Sequence, residues 1–181
     1  MDAAEQILER LLVIRCQAGD PSALEELFRR HAPALGYDLR RLLHDEDLAA
    51  DVQQEVWLTV LRRIGGLRAP EAFVVWLYRI ARTRAIDRGQ DRLRTVSLDA
   101  DPDTAELLDD PEPQFTPADA AQVHAAMEKL APHHREVLVL RFHEELSLEE
   151  IATVTDAPLS TVKSRLYRGL AALKPAFAEA S

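Results

Sequence analysis

Residues 147–173, SLEEIATVTDAPLSTVKSRLYRGLAAL, decide the fold of the second half of this chain and give the key to the rest. Ser147-Leu148-Glu149-Glu150 has the capping-box form, in which a serine and a glutamate three residues on satisfy each other's backbone amides. A short helix is therefore expected over 147–154, a tight turn near 155–159, and a longer helix over 160–176. Val162, Leu166, Leu170 and Leu173 recur at helical spacing and are expected to face a core. Thr161, Ser164, Arg165 and Arg168 fall on the opposite, solvent-facing side, with Lys163 flanking. From Ser160 to Lys174 there are four basic residues and no acid. Helix, turn and longer helix in this order make a helix-turn-helix. Its exposed face carries guanidinium groups that can reach guanine and hydroxyls that can hold phosphate. An ordinary basic solvated face has the same pattern, and the motif occurs in many regulators, so it names a chemistry and not a role.

The chain around this motif reads as all-α. It has 181 residues, 47% of them hydrophobic and 29% charged, with only six glycines, as suits a soluble protein with a true core. In the first half the apolar spacing predicts helices near 5–18, 21–43, 46–63 and 70–90. Asp20-Pro21 marks a start, and Gly65-Gly66 closes the third helix. The second half is read as helices near 117–130, 132–144, 147–154 and 160–176, with Thr116-Pro117 as a restart. Between them, residues 95–116 hold seven acids and three prolines without a periodic apolar face, and are read as an exposed linker. The organisation expected is a helical domain over 5–92, an acidic flexible linker over 93–116, and a second helical domain over 117–178.

No apolar run approaches the roughly 20 residues that cross a bilayer, and the N-terminus does not read as a signal peptide, so no membrane insertion is expected. The single cysteine, Cys16, has no internal disulfide partner and suits a reducing cytoplasm. A net charge of −9 looks unsuited to a DNA-binding chain, but the charge is unevenly spread. Residues 62–94 carry nine arginines against three acids, and residues 93–121 carry one arginine against eight acids. Local fields decide where a polyanion sits, so two basic stretches flanking an acidic strip is the informative pattern.

In the first half, PEAFVVWLYRIARTRAIDRGQDRLR (70–94) sets Phe73, Trp76, Leu77 and Ile80 in an apolar stripe among Arg79, Arg82, Arg84 and Arg88. Rings that stack on bases beside arginines that hold the backbone suit single-stranded DNA. The permissive loop over 65–70 could form a pocket for an unstacked base. In the preceding helix, DLAADVQQEVWLTVLRRI (47–64), one stripe is Leu48, Val52, Val56 and Val60, while Asp51, Gln54, Glu55 and Leu58 lie elsewhere around it. A face mixing acids, amides and large apolar groups suits docking on another protein. Asp51 and Glu55 are one turn apart, but no histidine, glycine-rich loop or metal-ligand spacing accompanies them as catalytic carboxylates would need.

Taken together, these stretches resemble the extracytoplasmic-function (ECF) sigma factors of bacterial RNA polymerase. DVQQEVWLTVL (51–61) looks like the family's region 2.2, which binds the clamp helices of the polymerase β′ subunit. FVVWLYRIARTRAIDR (73–88) looks like regions 2.3 and 2.4, which melt and read the minus-ten element. Residues 130–173 look like region 4, which reads the minus-thirty-five element and touches the β flap. The resemblance spans roughly 10–92 and 118–176 in the expected order. By position it implies that Asp51, Gln54, Glu55, Trp57 and Leu58 contact core polymerase. It places Arg68, Trp76, Arg79, Arg82, Thr83, Asp87 and Arg88 at or near the melted strand, and Ser160, Thr161, Lys163, Ser164, Arg165 and Arg168 on the upstream duplex. It further implies promoter DNA and an anti-sigma protein as partners, a linker passing near the polymerase active-site channel, and a chain that directs initiation without being an enzyme. No catalytic residue, metal ligand or cofactor is assigned, and no large extra domain is expected after Ser181. Two departures stand out: Arg88-Gly89-Gln90-Asp91 thins the basic run usual after region 2.4, and Pro158 sits in the turn before the recognition helix.

Two other readings remain at this point. A stand-alone helix-turn-helix regulator would use the second half and leave the 47–64 helix without a purpose. An enzyme, metal-dependent through His133, His134 and His143, would need adjacent histidines that project about 100° apart to share an ion.

Overall fold

The computed structural model describes residues 3–89, 126–127 and 129–178, with side chains through 174. Every regular element among these is helical. In the first half α1 spans Ala3–Gln17, α2 Pro21–Leu43, α3 Glu46–Arg63 and α4 Phe73–Arg88. In the second, α5 spans Pro132–Phe142, α6 Leu148–Thr155 and α7 Leu159–Ala178. The expected linker lies outside the described residues, as does most of the helix expected over 117–130.

The starts follow from local chemistry. Asp20 caps α2 by accepting from the Ser22 amide at 2.9 Å, with Pro21 in the first turn where its missing N–H costs nothing. Arg15 closes the junction by pairing with Asp20 at 2.6 Å. Hydrogen bonds from Ser22 and Arg15 pull the Asp20 carboxyl down to about 2. Asp45 caps α3 through the Leu48 amide, while Arg62 and Arg63 sit where the helix dipole favours cations. The expected fourth helix begins later than read. Pro70–Ala72 forms a separate 3₁₀ turn, and α4 proper starts at Phe73. The loop before it is pinned by Gln17, whose side-chain amide donates to the carbonyls of Ile64 and Leu67 at 3.1 and 2.7 Å.

The N-terminal core is built from Val13, Leu27, Leu35, Leu39, Val52, Val56, Val60, Phe73 and Leu77, all fully buried or nearly so. Each such side chain contributes roughly 1.5–3 kcal/mol by leaving water. The C-terminal core gathers Val137, Ile151, Val162, Leu166 and Leu173. There α5 lies against α7 so closely that a Cβ on Gly169 would fall 2.9 Å from the Leu138 side chain.

The sequence leaves the arrangement of the two halves open; in the structure they are packed. Helix α4 lies on α6 and α2 on α5. Across this seam Arg82 pairs with Glu136, and Arg135 donates to the Arg41 carbonyl at 3.1 Å. The same guanidinium donates to the carbonyls of Met127 and Leu130 at 2.7 and 2.8 Å.

Candidate nucleic-acid interface

The helix-turn-helix forms as its chemistry dictates. Ser147 and Glu150 complete the capping box at the start of α6, and Asp156 closes the helix in the left-handed region at φ 51°. The turn then leads through Pro158 into α7. On α7 Ser160 is exposed, and Thr161, Lys163, Ser164 and Arg168 are half-buried.

Arg165 departs from the expectation of a solvent-facing side chain: it is buried. Helix α5 covers that side of α7, and Arg165 lies close enough to His134 to repel a proton from it. Burial, then His133 and Arg165, hold His134 down at about 4, so the ring is neutral near pH 7. The rings of His133 and His134 meet edge to face at 4.2 Å. Among the described residues no three His, Cys, Asp or Glu side chains are grouped to hold a metal ion.

On α4 the groups separate by face. Trp76 is half-buried, its ring 6.2 Å from that of Phe73, which is wholly core. Arg79, Thr83 and Asp87 succeed one another at four-residue spacing, and all three are exposed. Thr83 Oγ1 donates to the Arg79 carbonyl at 2.9 Å. Arg68 is exposed on the preceding loop. Arg88 is exposed but pairs with Glu55 of α3, a side-chain link between the two helices. Arg82 stands apart, 9% exposed and held by Glu136.

On α3 the five residues singled out do not share one environment. Asp51, Gln54 and Leu58 are exposed, and Glu55 is half-buried. Trp57 is buried at 8% exposure, with Phe28 of α2 packed edge-on against it at 5.0 Å. Phe28 and Leu61 are themselves exposed beside this group, at 48% and 57%. The sequence reading missed both. Their signal was a large apolar residue lying off the buried stripe of an otherwise well-patterned helix.

Comparison with known proteins places these elements. The sequence profile described as "Sigma-70 region 2" matches residues 27–95, and that described as "Sigma-70, region 4" matches residues 120–173. The chain is 32% identical to the RNA polymerase sigma-H factor of Pseudomonas aeruginosa, over 93% of each chain. It is also 32% identical to the ECF RNA polymerase sigma-E factor of Escherichia coli (strain K12), over 94% of each. Its fold resembles that of CnrH, solved in complex with the cytosolic domain of CnrY, with a TM-score of 0.64 at 23% identity, covering 96% of this chain and 99% of that one. It likewise resembles the sigma factor RpoE from Bartonella quintana, solved with the anti-sigma factor NepR, with a TM-score of 0.62 at 21% identity, covering 85% and 96%. The 47–64 helix, which a stand-alone regulator would leave idle, thus falls inside the region 2 match. With region 2 and region 4 both present, in order and across nearly the whole length of its relatives, this chain belongs to the ECF sigma factors, the subunits that bind core RNA polymerase and direct it to promoters.

Proposed function

We propose that three surfaces divide the work of this sigma factor. The exposed Asp51, Gln54 and Leu58, with Glu55 and the edge of Trp57, dock on the polymerase clamp helices. Arg68, Trp76, Arg79, Thr83, Asp87 and Arg88, with Arg82, meet the minus-ten strand as it melts. Ser160, Thr161, Lys163, Ser164 and Arg168 meet the minus-thirty-five duplex, and Arg165 joins them only if α5 and α7 loosen. One observation carries this reading: within the matched region Asp51, Gln54 and Leu58 of α3 and Arg79, Thr83, Asp87 and Arg88 of α4 are all exposed, and Glu55 and Arg88 pair across the two helices.

The mechanism is binding and strand capture, with no covalent chemistry. Unpairing a few bases costs some kcal/mol, which stacking at about 1–3 kcal/mol per base on Trp76 offsets in part. Phosphate contacts release counterions, so promoter binding falls steeply as salt rises. An anti-sigma factor, the kind of partner with which the sigma factor RpoE was solved, binds this chain and holds it inactive, and the chain works in the cytoplasm where polymerase is. No helix among the described residues is long and apolar enough to cross a membrane.

The test is binding of the purified chain to core RNA polymerase, with Asp51→Lys and Glu55→Lys as the control. Tight binding that the reversed charges abolish supports the α3 assignment. Equal binding by both chains removes it.

A further inference from the structure

Where the two halves meet, a cavity of about 50 Å³ remains. Asp38 of α2, Tyr78 and Arg82 of α4, and Glu136 of α5 converge on it. Both Asp38 carboxyl oxygens, Tyr78 Oη and Glu136 Oε2 are shut off from solvent without a well-formed hydrogen bond. Just past α5, Glu144 brings a third nearly buried carboxyl to bear on both Asp38 and Tyr78.

The charged groups around Asp38 come from α2, α4, α5 and the segment just past α5. Arg41 of its own helix lies over the Tyr37 ring, 5.1 Å from its centre. Arg82 pairs with Glu136, and Arg135 donates to three backbone carbonyls. His143 lies 3.9 Å from Glu144 on the far side, and α6 lends the cavity only the apolar Val154.

An ionised carboxylate is strongly disfavoured in such a place. Burial first, then the charge of Glu144 with a smaller part from Glu136, pushes Asp38 well above the ordinary carboxyl range, and Tyr78 eases it only in part. Parting the halves would hydrate Asp38 and return it to the ordinary value near 4.

We propose that this seam is an acid-closed clasp: the halves stay packed while Asp38 keeps its proton and part when it loses it, uncovering Arg82. The clasp itself rests on the seam alone; that opening helps DNA binding rests on the role proposed for Arg82. The closed form is favoured in full below the ordinary carboxyl value. From there up to the closed-form value, the ratio of open to closed rises about tenfold per pH unit, and above that it levels off.

The experiment measures the distance between spin labels on the full chain, at Glu25→Cys of α2 and Ala171→Cys of α7, both exposed, in a Cys16→Ser background. A single short distance is expected at pH 5, with a longer population growing toward pH 8. Asp38→Asn, which cannot ionise, keeps the short distance throughout. A distribution unchanged between pH 5 and pH 8 overturns the clasp without recourse to any variant, and so does a pH response that survives in Asp38→Asn. Labelled mixed-sequence duplex DNA added to the same samples at low salt reads the second claim separately. Opening with no gain in DNA affinity leaves the clasp standing and removes Arg82 from the DNA surface.

Discussion

At the scale of single residues, burial separates side chains that the sequence groups together. Trp57 and Leu58 are neighbours on α3, yet Trp57 is core and Leu58 is 41% exposed. Trp57→Ala is expected to cost about 3–5 kcal/mol of stability, as large buried aromatics do. Leu58→Ala should leave stability within roughly 0.5 kcal/mol and weaken polymerase binding instead. Urea midpoints beside a polymerase binding curve check both, and a stability loss for Leu58→Ala as large as that for Trp57→Ala would contradict the assignment. His134 gives a pH prediction of definite sign. Its folded value near 4 lies below the ordinary histidine value of about 6.5, so it contributes stability above pH 6.5 that is lost as pH falls toward 4. The urea midpoint of the C-terminal half should therefore drop between pH 7 and pH 4.5, and His134→Gln should flatten that drop.

At the scale of elements, the capping box at Ser147 controls where the helix-turn-helix begins. Ser147 Oγ accepts from the Glu150 amide at 3.2 Å, and the Ser147 amide donates to the Glu150 carboxylate at 2.8 Å. Ser147→Ala removes the first of these and is expected to cost about 1 kcal/mol. Fraying should appear as faster amide exchange in the first turn of α6, while α1–α4 stay unchanged. The start of α6 was readable in the sequence because a cap is a local event, settled by residues three apart. The start of α4 was not. Pro70 resembles a first-turn proline, but the chain makes a separate 3₁₀ turn there before Phe73 enters the core. That outcome depends on where α1 and α2 leave room.

At the scale of the whole molecule, the seam sets which surfaces a free chain offers. Glu136→Gln weakens the pairing with Arg82 while preserving shape. Charged hydrogen bonds of this kind contribute about 1.5–3 kcal/mol, so the seam should loosen and DNA affinity at low salt should rise roughly tenfold or more. Fluorescence anisotropy with a labelled duplex checks this, and an affinity equal to that of the unaltered chain would argue that the seam does not limit DNA access. The two pH effects are separable, because acid tightens the seam through Asp38 yet loosens the C-terminal half through His134.

Helices α1 to α3, the starts at Asp20 and Ser147, the helix-turn-helix and the stripe Leu48-Val52-Val56-Val60, of which only Leu48 is half-buried rather than buried, were legible in the linear sequence. Each depends on residues within a turn or two of one another, where spacing alone decides the outcome. The sequence also determined the family, since segments in a given order are a property of the chain. Only the tertiary structure decided that Arg82 and Arg165 are covered and that Trp57 is core. Only it showed that Phe28 and Leu61 face outward and that Asp38, Tyr78 and Glu144 come together. A helix presents several faces to solvent until a partner packs on it, and which face is covered depends on segments as far apart as α2 and α5. Composition and spacing hold no record of that choice, which is made by packing.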